Sequence, residues 1–87
     1  MQLADKIAIV TGAGQGIGKA TALAMADEGA DVVCADINAE TAAETAAAVT
    51  AKGRRALTIT ADLGDVGAID RMVQDTVQAF GHIDILV

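Results

Sequence analysis

The sequence predicts an α/β fold, a doubly wound parallel sheet assembled as β-α-β-α-β-α-β with its strands in the order 3-2-1-4. Three observations predict it. Short apolar runs alternate with helix-forming stretches, turn signals at Gly29, Gly53, Gly64 to Gly67 and Gly81 mark the joints, and no linker, repeat or low-complexity tail interrupts residues 1–87. The chain therefore reads as one domain.

The first apolar run, Lys6-Ile7-Ala8-Ile9-Val10, reads as a short buried strand. It passes through Thr11-Gly12-Ala13-Gly14-Gln15-Gly16-Ile17-Gly18 straight into a helical stretch, about Gly16 to Glu28, with Ile17, Thr21, Ala24 and Met25 expected on one face. Glycines there let the backbone turn sharply and approach a ligand where a Cβ would collide. The helix beyond them aims free N–H groups and the positive end of its dipole at the same point, which predicts a phosphate cradle. Asp31-Val32-Val33-Cys34-Ala35 reads as the second buried strand, with Asp36 at its end, 18 residues after Gly18.

A second helix is expected over Ala39 to Lys52, capped by Asn38. It is almost all alanine, threonine and glutamate, with Val49 its only large apolar residue, and makes a thin cover for a sheet. Ala56-Leu57-Thr58-Ile59-Thr60-Ala61 forms the third strand candidate and ends in Asp62-Leu63. The third helix is expected to begin after Asp65 as its N-cap and to carry Ile69, Val73, Val77 and Phe80 on what should be the best-packed face of the three. A fourth strand at the edge of the sheet would expose Ile85-Leu86-Val87 along unpaired backbone, so a partner is expected: another copy of the chain, the remainder of a longer protein, or an engineered companion.

The glycine spacing narrows the ligand. A strict G-x-G-x-x-G fails, because Ile17 or Lys19 stands where the third glycine would be. A phosphate-binding P-loop fails as well, with Ala13 at its first glycine and Ala20 at its magnesium-binding Ser/Thr position. Thr11, Gly12, Gly16 and Gly18 fit T-G-x-x-x-G-x-G instead. Asp36 can accept both ribose hydroxyls of an adenosine and repels a 2′-phosphate, which favours NAD over NADP.

With this motif, Asp36, Asp62-Leu63, and the closing Phe80-Gly81-His82-Ile83-Asp84-Ile85-Leu86-Val87, the chain resembles the short-chain dehydrogenase/reductase family, NAD(P)-dependent oxidoreductases on a Rossmann fold. The closing segment looks like that family's lead-in to its Asn-Asn-Ala-Gly segment. The resemblance covers all 87 residues and corresponds to about the first third of a usual member. It implies NAD as cofactor, with Gly12, Gln15, Gly16, Ile17, Gly18, Asp36, Ile37, Asp62 and Leu63 as its binding residues and Asp62-Leu63 beside the adenine amino group. It places the family's catalytic Asn, Ser and Tyr-x-x-x-Lys downstream. The 87 residues contain no tyrosine, so no catalytic residue is assigned, and an alcohol or ketone substrate is expected only of a full-length parent. Two other classes fit in part. Gly12, Gly14 and Gly16 with acidic residues after the second and third strands suit an S-adenosylmethionine-dependent methyltransferase, although Val10-Thr11 stands where such enzymes usually carry an acid. A non-catalytic nucleotide-binding module is the third.

Composition sets the remaining bounds. The chain is 53% hydrophobic, but alanine supplies much of that and Phe80 is the only aromatic residue, so the core is light. No apolar run approaches the ~20 residues of a membrane span, and no basic-then-apolar leader opens the chain, so a cytoplasmic setting is expected. The net charge of −6 argues against nucleic acid or an anionic membrane as partner. A dinucleotide would have to be drawn in locally, by the backbone nest with at most Lys19 nearby. Cys34 is the single cysteine and reads as a small buried hydrophobe. Arg54-Arg55 reads as a solvated strand entrance rather than an anion contact, and Thr11 as bonding within its turn. Gln15, at the loop tip, fits a cofactor contact and a solvated polar residue equally. His82 has no other His and no Cys near in sequence, which excludes a metal role, and Asp84 reads as structural.

Overall fold

A computed structural model, which describes residues 2–62, 64–65 and 67–87, has seven elements. They are β1 (Ile7–Thr11), α1 (Gly16–Asp27), β2 (Asp31–Asp36), α2 (Ala39–Ala51), β3 (Ala56–Thr60), α3 (Ala68–Phe80) and β4 (Ile85–Leu86). All strand pairs are parallel, and the sheet runs β3-β2-β1-β4 as the sequence predicts. The register sets Val10 beside Cys34 and Cys34 beside Thr58. Side chains alternate across the sheet with the period of two that a strand imposes. Val10, Val32 and Cys34 pack with Ala22, Ala26 and Val49 of α1 and α2, whereas Ile9, Val33 and Ala35 pack with Met72 of α3. The sheet is thus covered by two helices on one face and one on the other. Burial pushes the Cys34 thiol up to about 11, so it stays a neutral core residue near neutral pH.

The two amphipathic faces differ from expectation. On α1 the fully buried residues are Ala22 and Ala26, and Met25 packs against the core as expected, while Ile17 is 86% exposed and Ala24 is also exposed. Small side chains win that face because α1 lies almost on the glycine loop: a Cβ on Gly18 would overlap the Gly12 carbonyl. The stripe that continues from Gly18 at four-residue steps is Ala22 and Ala26, and it turns Ile17 outward. On α3 the buried stripe is Ala68, Met72 and Thr76. Val73 and Phe80 are half-buried, but Ile69 and Val77 stay 46% and 43% exposed. The sheet takes the side of α3 centred on Met72, which packs with Ile9, Val33 and Ala35.

Three local expectations are also revised. Asp65 is not the N-cap of α3; Gly67 is, without a side-chain cap. The Asp65 carboxylate instead accepts the Gly67 N–H at 3.2 Å and pairs with Arg71 at 2.8 Å. Thr11 bonds across the sheet rather than within its turn, its hydroxyl donating to the Val87 carbonyl at 2.7 Å. Arg54 and Arg55 converge on the buried Asp31 carboxylate at 3.3 and 2.8 Å, and Arg55 also lies 4.8 Å over the Phe80 ring. The pair is a strap at the amino ends of β2 and β3, with an internal carboxylate as its anion.

The edge strand is held at both ends. Asp84 accepts the Ile7 N–H at 2.8 Å, and the Val87 carbonyl accepts both the hydroxyl and the N–H of Thr11. Asp84 is structural, as its position suggested.

Candidate functional site

At the carboxyl ends of β1, β2 and β3 the backbone opens into a depression of about 270 Å³, lined by Gly12, Ala35, Asp36, Ile37, Ala61, Asp62 and Gly64. Four of the residues singled out from sequence, Gly12, Asp36, Ile37 and Asp62, therefore share one hollow. The sheet makes this unavoidable. In parallel strands the loops that follow β1, β2 and β3 leave from the same edge, so residues far apart in sequence become neighbours.

The glycine loop forms one rim. Gly12 and Gly16 take the left-handed conformation, with φ of 63° and 61°, and a Cβ on either would meet nothing within 4 Å. Open space with left-handed backbone is what a loop bent around a ligand requires. Gly18 faces the opposite constraint, the close packing of α1 on Gly12. Gln15 and Ile17 are exposed and lie outside the lining of the hollow.

Helix termini give the site its polarity. At α1 the N-cap is Gln15, no side chain caps the helix, and its first turn contains no acid. At α2 the same groups are satisfied: the Asn38 carboxamide oxygen accepts the Glu40 and Thr41 N–H groups at 3.0 and 3.2 Å, and Glu40 sits in the first turn. The two helices start within one neighbourhood, and only α1 presents an uncapped, acid-free N-terminus, which suits an anion.

Asp36 is fixed from two sides. One carboxylate oxygen accepts the Gly14 N–H at 2.9 Å and the other the Asn38 N–H at 3.0 Å. The Asn38 and Gly14 N–H groups hold its carboxyl below the usual carboxylate range, so Asp36 is charged at neutral pH with lone pairs left to accept further donors. Asp62 also accepts a backbone donor, Gly64 N–H at 2.9 Å, so it makes the turn after β3 and lines the hollow at once. Leu63 lies outside the described residues. Beyond β1, toward β4, a second hollow of about 240 Å³ is lined by Thr11, Ile69, Met72, Leu86 and Val87. It lies where the strand order reverses.

Residues 6–87 match the family model described as short chain dehydrogenase. The chain is 46% identical over 87 residues to a (2S)-[(R)-hydroxy(phenyl)methyl]succinyl-CoA dehydrogenase subunit, BbsD, of Thauera aromatica, covering all of this chain and 35% of that protein. Among solved structures, NAD⁺-bound xylitol dehydrogenase superposes with a TM-score of 0.95 at 37% identity, over 99% of this chain and 33% of that one. A short chain dehydrogenase from Mycobacterium paratuberculosis bound to NAD superposes with a TM-score of 0.92 at 32% identity, over 99% and 36%. The chain spans about a third of the length of these relatives.

Proposed function

The chain belongs to the short-chain dehydrogenase family, and from that premise we propose that it holds the adenosine and pyrophosphate half of NAD for an oxidoreductase. The observation that carries this is the single depression shared by Gly12, Asp36, Ile37 and Asp62. In this proposal the ribose hydroxyls donate to Asp36, the adenine rests against Ile37 with Asp62 and Leu63 at its amino edge, and the phosphates take the N–H groups at the start of α1. Gly12 and Gly16 leave them room, Gln15 and Ile17 border the phosphates, and Gly18 keeps α1 close. The dinucleotide then runs toward the strand reversal between β1 and β4.

When bound, the nicotinamide supplies the hydride chemistry, exchanged with an alcohol or carbonyl substrate. These residues contribute binding and orientation. The anionic cofactor is drawn to a chain of net charge −6 because the attraction is local, carried by backbone dipoles rather than basic side chains. A soluble, cytoplasmic parent is part of the same proposal; among the described residues no helix is long and apolar enough to cross a membrane.

Titration with NAD⁺, ADP-ribose and S-adenosylmethionine tests this directly. ADP-ribose is expected to displace NAD⁺ and to bind these 87 residues with similar affinity, since every assigned contact lies on their shared half. Saturable binding of S-adenosylmethionine without NAD⁺ would overturn the proposal.

A further inference from the structure

Gly14 lines neither of the two hollows described above and is not among the glycines with positive φ, so backbone conformation does not explain a glycine there. Space does. A Cβ on Gly14 would stand 2.8 Å from Asp36 Oδ2 and 2.9 Å from Thr41 Cβ, and would overlap Thr41 Oγ1. Rotating the threonine cannot clear this, because its Cβ is fixed to the backbone of α2. Relief requires the first turn of α2 to back away, and Asn38, which caps that turn and whose N–H holds Asp36 Oδ1, moves with it. The other Asp36 oxygen is bonded to the Gly14 N–H itself. Gly14 thus governs both restraints on the carboxylate.

We propose that Gly14 is a specificity-positioning residue: its missing side chain lets the glycine loop, Asp36 and the first turn of α2 lock together, which fixes the carboxylate where it separates a 2′-hydroxyl from a 2′-phosphate. This rests on the assignment of Asp36 to the ribose made above. It adds that the selection is set by a residue that need not touch the cofactor, acting through packing with Thr41.

The test is the ratio of NAD⁺ to NADP⁺ affinity, measured by direct titration of the intact protein. Gly14→Ala is expected to lower that ratio roughly tenfold, the effect of misplacing one hydrogen bond to a charged group. Gly14→Ala/Thr41→Gly removes the conflict with α2 and keeps the Cβ 2.8 Å from Asp36 Oδ2, so it should fold if the single variant does not and keep the part of the lowering that comes from crowding the carboxylate directly. Thr41→Gly alone is the reference against which the double variant is read. In an Asp36→Ala background, Gly14→Ala should produce no further change, because the group it positions is gone. An unaltered ratio in the folded Gly14 variants, or an equal drop with Asp36 removed, overturns the role of Gly14 while leaving Asp36 as the ribose ligand. If Asp36→Ala itself leaves the ratio unchanged, the ribose assignment falls and this proposal falls with it.

Discussion

Gly16 and Gly18 stand two residues apart under opposite constraints, and their variants should fail differently. Gly18→Ala places a Cβ onto the Gly12 carbonyl, backbone against backbone, so α1 must lift from the loop. The expected loss is about 1–3 kcal/mol, as for other overpacked sites. A thermal melt should show it with or without cofactor. The Cβ of Gly16→Val enters open space, and the substitution costs about 1–2 kcal/mol for its left-handed backbone. Its larger effect should be the loss of most NAD⁺ binding in a titration of still-folded protein. Asp36 yields a second expectation. A 2′-phosphate within about 4 Å of its carboxylate costs ~1–4 kcal/mol, a tenfold to thousandfold preference for NAD. Asp36→Ala should narrow that gap chiefly by admitting NADP⁺, and added salt should narrow it in the parent, because the repulsion is screened. Asp36 was legible in sequence because it follows a strand at a telling distance from the glycine motif. Gly14 was not. Its neighbour Thr41 is remote along the chain, and no local pattern records which side chains will crowd a given backbone atom.

Among the elements, strands were more legible than helix faces. The order and direction of the sheet follow from alternation and short connections. Which arc of a helix is buried depends on how closely it can approach: Gly18 draws α1 down on its alanine side, and Met72 turns α3 away from the Ile69–Val77 side. The strap joining β2 to β3 is illegible for the same reason, since nothing near Asp31 in sequence announces Arg54 and Arg55 as its partners. Burial pushes the Asp31 carboxyl up, but the Arg55 N–H, its guanidinium and Arg54 outweigh this and leave it below the ordinary carboxylate value. A lowered folded value stabilises above the unfolded one, about 3.9, and the gain disappears as pH falls through the folded value. Asp31→Asn should therefore cost about 2 kcal/mol at neutral pH, discounted because the Arg55 side chain is 63% exposed. The deficit should shrink below about pH 4. Urea unfolding of parent and variant at pH 7 and pH 3 checks both; an equal deficit at the two values would mean that charge is not what Asp31 supplies.

At the scale of the molecule, the accessible surface of 4656 Å² is close to the ~4,700 Å² of a compact monomer of 8.7 kDa. What distinguishes it is where the apolar surface lies. Ile69, Leu86 and Val87 border the second hollow and are each about half exposed. As an 87-residue polypeptide the protein should self-associate through this side with rising concentration. Sedimentation velocity should show the association weakened by Ile69→Lys with Leu86→Lys, and an unchanged profile would place the contact elsewhere. The double fastening of β4 bears on the order of assembly. Its latches, Asp84 to Ile7 and Thr11 to Val87, join residues separated by 77 and 76 positions, whereas β1, β2 and β3 are complete once the chain has reached Thr60. A chain emerging from the ribosome can close a three-stranded sheet first and must leave the outer flank of β1 open until residues 84–87 arrive. That flank should also reopen first: the amides of Asp84 and Val87, which donate to Ile7 and Ile9, should exchange with deuterium ahead of those between β1 and β2.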